Sequence, residues 1–459
     1  MKIDRGELLR GVFRDALALC DPAVLTGAQL SRAGNELRIG RPLLEGAPPR
    51  VIAAPPSQSQ PLENTPLTLI AAGKAAMGQA SALADVLGER VERALVVTPH
   101  GYPRALLPAH YDVCFAEHPL AGAGSLTAGE RALELARTVP RDGVLVCAIS
   151  GGASALLEAP VNGVELADIG RAVAMLMDSG ASIAEINALR KHLSRIKGGR
   201  LAAAARGPTL TFILSDIVGD PLHWVGSGPT RPDPSSFADA YGALEKYALT
   251  EHAPEAVTAH LRRGMKGEYD DTPKPGDARL RLSRAFLTAG PGFFAEAAMR
   301  FIQAQGINAV LGPAAARTDV VSMAREIAAC ADTKVSTPTA FMWVREPTVC
   351  IDARDVGRGG RNSHLALLVA RELRGRTDVA FISAAGDGID GNSDAAGAVV
   401  DGAAWDDAVA SGRDPRDVLA RYDSAGLFAA LGCALRPGPT GNNLLDLQIL
   451  LLEPPAAGL

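Results

Sequence analysis

The chain has 459 residues, 47% apolar and 21% charged, with a net charge of −5. That length suits two domains, each able to bury a sizeable core, and the acid excess argues against a non-specific nucleic-acid binder. Six scattered cysteines without a Cys-x-x-Cys pair fit reduced thiols better than a disulfide framework or a zinc site. The N-terminal stretch carries charges throughout and no apolar run approaches the ~20 residues of a membrane helix, so a cytoplasmic protein with no membrane or nucleic-acid partner is expected.

In chain order, residues 6–19 show an amphipathic helical stripe, and 46–66 is a proline-rich loop. Regular alternation follows. Strands are expected at Leu67–Ala72, Ala94–Val97, Val113–Ala116, Val144–Ile149 and Thr209–Ser215. Helices are expected at Ala75–Leu87, Leu126–Arg137, Val164–Asp178, Ala184–Ala205 and Asp239–Leu261. Strands separated by helices predict an α/β fold with a parallel, doubly wound sheet in a first domain over 1–240.

The polar link Arg263–Asp277 leads to a second α/β domain over 275–459. Its expected strands are Arg284–Ala289, Ala309–Leu311, Val379–Ala384 and Leu447–Leu452, with a hairpin from Ala340–Val344 and Thr348–Ala353. Its expected helices are Pro291–Gln305, Val320–Ala331 and Ser363–Leu373. An interdomain cleft is the expected ligand site.

Polar clusters interrupt this scaffold where strands end. Ser150, Gly151 and Gly152 follow an apolar strand, and Ser154 lies just beyond. Small residues there let backbone N–H groups approach an anion, although a tight packing turn has the same sequence. Neither a dinucleotide fingerprint nor a Walker A loop is present. Lys74 ends the first strand, as a ligand contact or a solvated lysine. Arg190, Lys191, His192, Arg195, Lys197 and Arg200 form a cationic run with interleaved apolar residues, expected to pack one face and offer the other to an anion. Asp216 and Asp220 follow the strand ending at Leu214. They suit a hard cation, proton abstraction or simple turn capping.

The order of these motifs is more specific than any one of them. Gly73-Lys74-Ala75-Ala76, Ser150-Gly151-Gly152-x-Ser154, Arg190-Lys191-His192 with Lys197-Gly198-Gly199-Arg200, and Ser215-Asp216-x-Val218-Gly219-Asp220 with Ser227-Gly228-Pro229-Thr230 occur in sequence. Gly359-Gly360-Arg361-Asn362, Asp387-Gly388-Ile389-Asp390-Gly391, Asp394 to Asp401 and Gly438-Pro439-Thr440-Gly441 continue the series. Over nearly the whole length the chain resembles the type-II glycerate kinases, which pair a Rossmann-like domain with a C-terminal MOFRL domain. Some of their relatives are labelled hydroxypyruvate reductase.

The resemblance implies an ATP- and Mg2+-dependent kinase of the 2-hydroxyl of D-glycerate or a related short hydroxy acid. The alternatives are an NAD(P)-dependent hydroxypyruvate reductase and a sugar-acid sensor without catalysis. Lys74, Asp216 and Arg361 become the expected catalytic residues. Ser150, Gly151, Gly152, Ser154, Lys197, Gly198 and Gly199 would hold the nucleotide. Arg190, Arg345, Asn362 and His364 would contact the substrate, and Asp216, Asp220 and Asp387 the metal. A homodimer is a further possibility.

The second domain departs from the family pattern. Ser363-His364 replaces Gln-Glu after Gly-Gly-Arg-Asn, Arg345 falls in Trp343–Thr348 where the family reads Ser-Gly-Gly-Glu-Thr-Thr, and Ala385 takes the place of a glycine. One acid lost and one base gained predict a shift from D-glycerate towards a larger or more anionic acid. The competing reading of His364 is a satisfied helix-face histidine.

Overall fold

The computed structural model describes residues 4–33, 36–39, 58–61, 65–313, 318–352 and 355–454. The chain divides into two compact units, one of residues 22–289, the other of residues 1–21 with 290–459.

In the first unit, β1 (Leu67–Ala72), β2 (Val91–Pro99), β3 (Tyr111–Ala116), β4 (Val144–Ile149), β5 (Thr209–Leu214) and β6 (Ser283–Ala289) form one sheet. The strand order is β3-β2-β1-β4-β5-β6, and every pairing is parallel. This is the Rossmann order, reversing direction between β1 and β4. β1, β4 and β5 are buried along their whole length because both faces are covered. The two-residue period of a strand sorts their side chains. Leu69, Ala71, Val146 and Ala148 pack with Ala76, Ala80 and Leu83 of the helix Ala76–Leu87. Ile70, Ala72, Cys147 and Ile149 pack with Ala128, Ala132 and Ala136 of the helix Ala123–Thr138.

Four further helices, Leu166–Asp178, Ile183–His192, Phe237–Lys246 and Glu255–Met265, build an apolar core of their own. Two helices expected to be continuous are broken. Residues 184–205 split, the first helix ending at His192 and the second starting at Arg200, after Gly198 and Gly199 take left-handed φ angles of 60° and 85°. Residues 239–261 split where Ala248 takes a φ of 55° and Pro254 starts the next helix.

The other unit holds a mixed sheet of β7 (Asn308–Leu311), β8 (Thr339–Val344), β9 (Val379–Ala385), β10 (Gly397–Asp401), β11 (Ala434–Leu435) and β12 (Asp446–Leu452). The order is β7-β8-β12-β9-β10-β11. The last strand, β12, occupies the centre, antiparallel to both neighbours and fully buried. The expected hairpin after β8 is absent. Pro347–Thr348 instead pairs in parallel with Thr318–Asp319, and Ala353 lies outside the described residues.

Two segments fall elsewhere than the expected 1–240 and 275–459 division. The helix Arg5–Leu19, capped by the side chain of Asp4, packs on Pro291–Ala304 and β9 and so belongs with the C-terminal unit. β6 pairs with β5 and closes the first sheet. Most of 46–66 lies outside the described residues. No helix among the described residues is long and apolar enough to cross a membrane.

Candidate active site

The turns that follow β1 and β4 lie side by side where the strand order reverses, the place at which open α/β sheets bind ligands. Three hydrogen bonds join them. Ser150 N–H donates to Ala72 O (3.0 Å), Lys74 N–H to Gly151 O (2.8 Å), and Ala75 N–H to Ser150 Oγ (3.1 Å). The contact is close enough to demand glycine. At Gly73, with φ 130°, a Cβ would stand 2.1 Å from Ser150 Oγ and 2.8 Å from Ser150 O.

Three side chains converge on the second turn. A Cβ on Gly151 would lie 2.2 Å from Asp216 Oδ2, so that carboxylate rests against the bare backbone. A Cβ on Gly152 would lie 3.2 Å from His118 Nε2 and 3.4 Å from Lys74 Cγ. The N–H groups of Gly151 and Gly152 donate no hydrogen bond within the described structure. Two open donors beside a lysine, an imidazole and a carboxylate form a setting for a phosphate.

A hydroxyl chain extends the site. Ser154 Oγ and Ser227 Oγ are 2.8 Å apart, and Ser227 Oγ donates to Asn187 Oδ1 at 2.7 Å. Arg190 follows Asn187 by one turn on the helix Ile183–His192 and donates no hydrogen bond among the described residues. Burial pulls its guanidinium below the ordinary value, against the charge of Glu158. A half-buried cation without an ion pair favours an anion from solution.

In the second unit, Arg361 opens the helix Arg361–Glu372. Its Nε and Nη2 grip Asp446 at 2.5 and 3.0 Å, and Nη2 also reaches Glu346 Oε1 at 2.9 Å. Nη1 makes no hydrogen bond among the described residues. Burial alone would lower the guanidinium, but Asp446, Glu346 and Asp387 outweigh it and hold it above its ordinary value. Asp390 caps the same helix, accepting from Asn362 N–H (2.9 Å) and from Ser363 N–H (2.8 Å) and Oγ (2.7 Å).

Comparison with known proteins finds a family model over each half of the chain. Residues 8–262 match the family model "Domain of unknown function (DUF4147)", and residues 339–446 match the MOFRL family. A glycerate 2-kinase of Pyrococcus horikoshii is 34% identical over 391 residues, 84% of this chain and 87% of that protein. A D-glycerate 2-kinase of Thermotoga maritima is also 34% identical, over 84% of this chain and 90% of its own. The chain belongs to the glycerate 2-kinase family. The crystal structure of the Thermotoga maritima glycerate kinase superposes with a TM-score of 0.79 at 30% identity, covering 97% of this chain and 99% of that one. A relative from Agrobacterium vitis, 34% identical over 84% of this chain and 86% of its own, carries the label hydroxypyruvate reductase. Membership makes the chain a phosphotransferase with an alcohol acceptor.

The expected residues of this kinase divide sharply. Lys74, Ser150, Gly151, Gly152 and Asp216 meet at one turn, with Ser154 beside it on the hydroxyl chain. The cationic run, expected to present a face to an anion, is mostly spent inside the fold. Lys191 pairs with Asp233, His192 with Asp271 and Arg195 with Glu130, while Arg200 donates to the carbonyls of Lys191 and Ser194. Lys197 is fully buried against Glu158, and the N–H groups of Gly198 and Gly199 donate to Ser227 O and Gly228 O. Gly198 and Gly199 thus brace the 227–230 turn and Lys197 the 157–158 segment, instead of presenting donors to a nucleotide.

Arg345, expected at the substrate, is 2% exposed, with its donors taken by Glu326 (2.7 and 3.0 Å) and Pro313 O (2.7 and 3.1 Å). Asn362 is wholly buried between Asp446, Asp390 and Ser383 and positions Asp446 rather than contacting solvent. His364 is buried and stacked on Tyr422, and burial lowers its pKa to about 4, so it is neutral. The two charge changes behind the expected shift to a larger acid are therefore absorbed inside the unit.

Asp220 occupies a left-handed turn position, φ 52°. Asp387 anchors a loop, its Oδ1 accepting from Ile389 N–H and its carbonyl from Thr440 N–H. Among the described residues no three His, Cys, Asp or Glu side chains gather to hold a metal ion, so Asp216, Asp220 and Asp387 form no protein-only cage. His118, Glu346 and Asp446 were not foreseen. His118 alone had a signal, since it follows β3 by two residues at the carboxyl end of the sheet.

Proposed function

We propose that the chain transfers the γ-phosphoryl group of ATP to the 2-hydroxyl of D-glycerate, giving 2-phosphoglycerate and ADP. The observation that carries this reading is the pair of unengaged N–H groups at Gly151 and Gly152, set against Asp216, Lys74 and His118. Phosphoryl transfer is mostly positioning and charge neutralisation, and these groups supply both. Lys74 and the two N–H groups hold the transferred phosphoryl oxygens. Arg190 takes the glycerate carboxylate, and in its own unit Arg361 offers Nη1, open among the described residues, to an anionic oxygen.

The residues fit Mg2+ bound through a carboxylate plus nucleotide phosphates, since magnesium keeps several waters and seldom uses an all-protein cage. Asp216 would hold it, and the ion would supply charge neutralisation between the phosphates. His118 accepts the proton of the 2-hydroxyl as its oxygen bonds to the γ-phosphorus. The bond from that phosphorus to the bridging oxygen breaks, and ADP leaves with the electron pair.

A paired assay of ATP consumption and NAD(P)H oxidation, over a panel of small hydroxy and keto acids, tests this. ATP consumption dependent on D-glycerate, with no NAD(P)H oxidation on hydroxypyruvate, is expected. The reverse pattern would establish the reductase. A chain inactive in both assays would point to the sensor.

A further inference from the structure

We infer that the C-terminal unit carries a second small-molecule site, for an organic anion with an apolar body. A cavity of about 530 Å³ opens beside the helix Arg5–Leu19. That volume lies within the range of small-molecule pockets. Its apolar wall is made by Phe13, Leu17, Phe294 and Leu444. Phe13 and Phe294 are themselves buried, so the aromatic surface is held rigidly.

Arg14 and Arg436 also line the cavity and, with Arg10, outnumber its two carboxylates, Glu7, which Arg10 pairs at 3.5 Å, and Asp21. Arg14 and Arg436 are each engaged through one nitrogen only. Arg14 Nε donates to Asp15 Oδ1 and Arg436 Nε to Asp394 Oδ2, both at 3.1 Å. The Nη atoms of both side chains make no hydrogen bond or ion pair among the described residues. A guanidinium with its terminal pair open binds carboxylate, sulfonate or phosphate through two parallel bonds. Arg10, the third arginine at the cavity, is occupied by the carbonyls of Gly432 and Ala434. An apolar wall with two open forks selects an amphipathic anion over a neutral hydrocarbon or a bare ion.

None of Lys74, Gly151, Gly152, His118, Asp216 or Arg361 lines this cavity, so the site stands apart from the phosphotransfer reading. Binding can be measured without ATP or glycerate. The probes are 8-anilinonaphthalene-1-sulfonate and its uncharged analogue N-phenyl-1-naphthylamine, titrated by fluorescence against the full chain. The sulfonate should bind with one site per chain and at least tenfold more tightly than the neutral analogue. Arg14→Gln with Arg436→Gln should erase that preference and keep the neutral probe's affinity.

Ala18→Trp, at an exposed helix position on the cavity, should block both probes while circular dichroism and Tm stay those of the parent. Equal affinity for the two probes in the parent chain would overturn the inference. So would a folded Ala18→Trp or double-glutamine variant that binds the sulfonate as before.

Discussion

Asp216 Oδ2 lies where a β-carbon on Gly151 would be, 2.2 Å from its ideal position. The obstacle is the far end of a side chain, so Gly151→Ala can be accommodated by turning the carboxylate away. We expect Tm to fall little and kcat for glycerate phosphorylation to fall on the order of 10²-fold. Gly73→Ala differs in kind, because its β-carbon would meet Ser150 main-chain atoms at 2.8 and 2.9 Å from a φ of 130°. That variant should lose several degrees of Tm as well. Thermal melts beside steady-state kinetics separate the two, and a fully active Gly151→Ala enzyme would detach Asp216 from the chemistry.

His118 is assigned the hydroxyl proton. His118→Asn keeps a polar side chain but removes the base, which should lower kcat on the order of 10²-fold with little change in KM for glycerate. A rise in KM at constant kcat would make His118 a binding group instead.

Arg361→Lys keeps the charge and loses the fork. Asp446, only 1% exposed, would then keep Asn362 but have a weaker cationic partner in place of a bidentate one. Breaking a buried pair outright costs about 3–5 kcal/mol, and the lysine should forfeit a part of that, on the order of 1–2 kcal/mol. Activity should fall on the order of 10²-fold. Denaturant melts and kcat measured together check this; unchanged stability would mean that the lysine satisfies Asp446 fully.

His364 predicts an acid sensitivity. Its pKa falls from 6.5 to about 4 on folding, because burial disfavours the imidazolium. Between those values the unfolded chain binds the proton and the folded one does not. Stability is therefore whole above pH 6.5 and declines as pH drops, by about 3 kcal/mol at pH 4. His364→Phe retains the stack on Tyr422 and should remove that slope, leaving KM for D-glycerate unchanged. A KM shift in this variant would restore His364 to the substrate site.

The N-terminal sheet was legible because β1, β4 and β5 are unbroken apolar runs ending in small or polar residues. The same cue marked Lys74, Ser150 to Ser154 and Asp216, whose side chains meet only because parallel strands bring their carboxyl ends to one edge. Partners distant in sequence carried no such signal. Nothing near Lys197 announces Glu158, 39 residues away, nor does anything near Arg345 announce Glu326. Both cations looked free and are buried in pairs. Asp446 was hidden for a topological reason, since only the central, antiparallel placement of β12 delivers its first residue to Arg361. Ser363, which reads as a departure from the family, is a capping hydroxyl on Asp390 and Gly360.

The position of the transferred phosphoryl group tests the central claim most directly. Purified chain incubated with D-glycerate, ATP and Mg2+ is coupled to enolase alone, which dehydrates 2-phosphoglycerate and leaves 3-phosphoglycerate untouched. We expect phosphoenolpyruvate to form as fast as ADP, with no phosphoglycerate mutase added, and D-glycerate to give the highest kcat/KM of the acid panel. ADP formation that yields phosphoenolpyruvate only after mutase is added would contradict the assignment to the 2-hydroxyl.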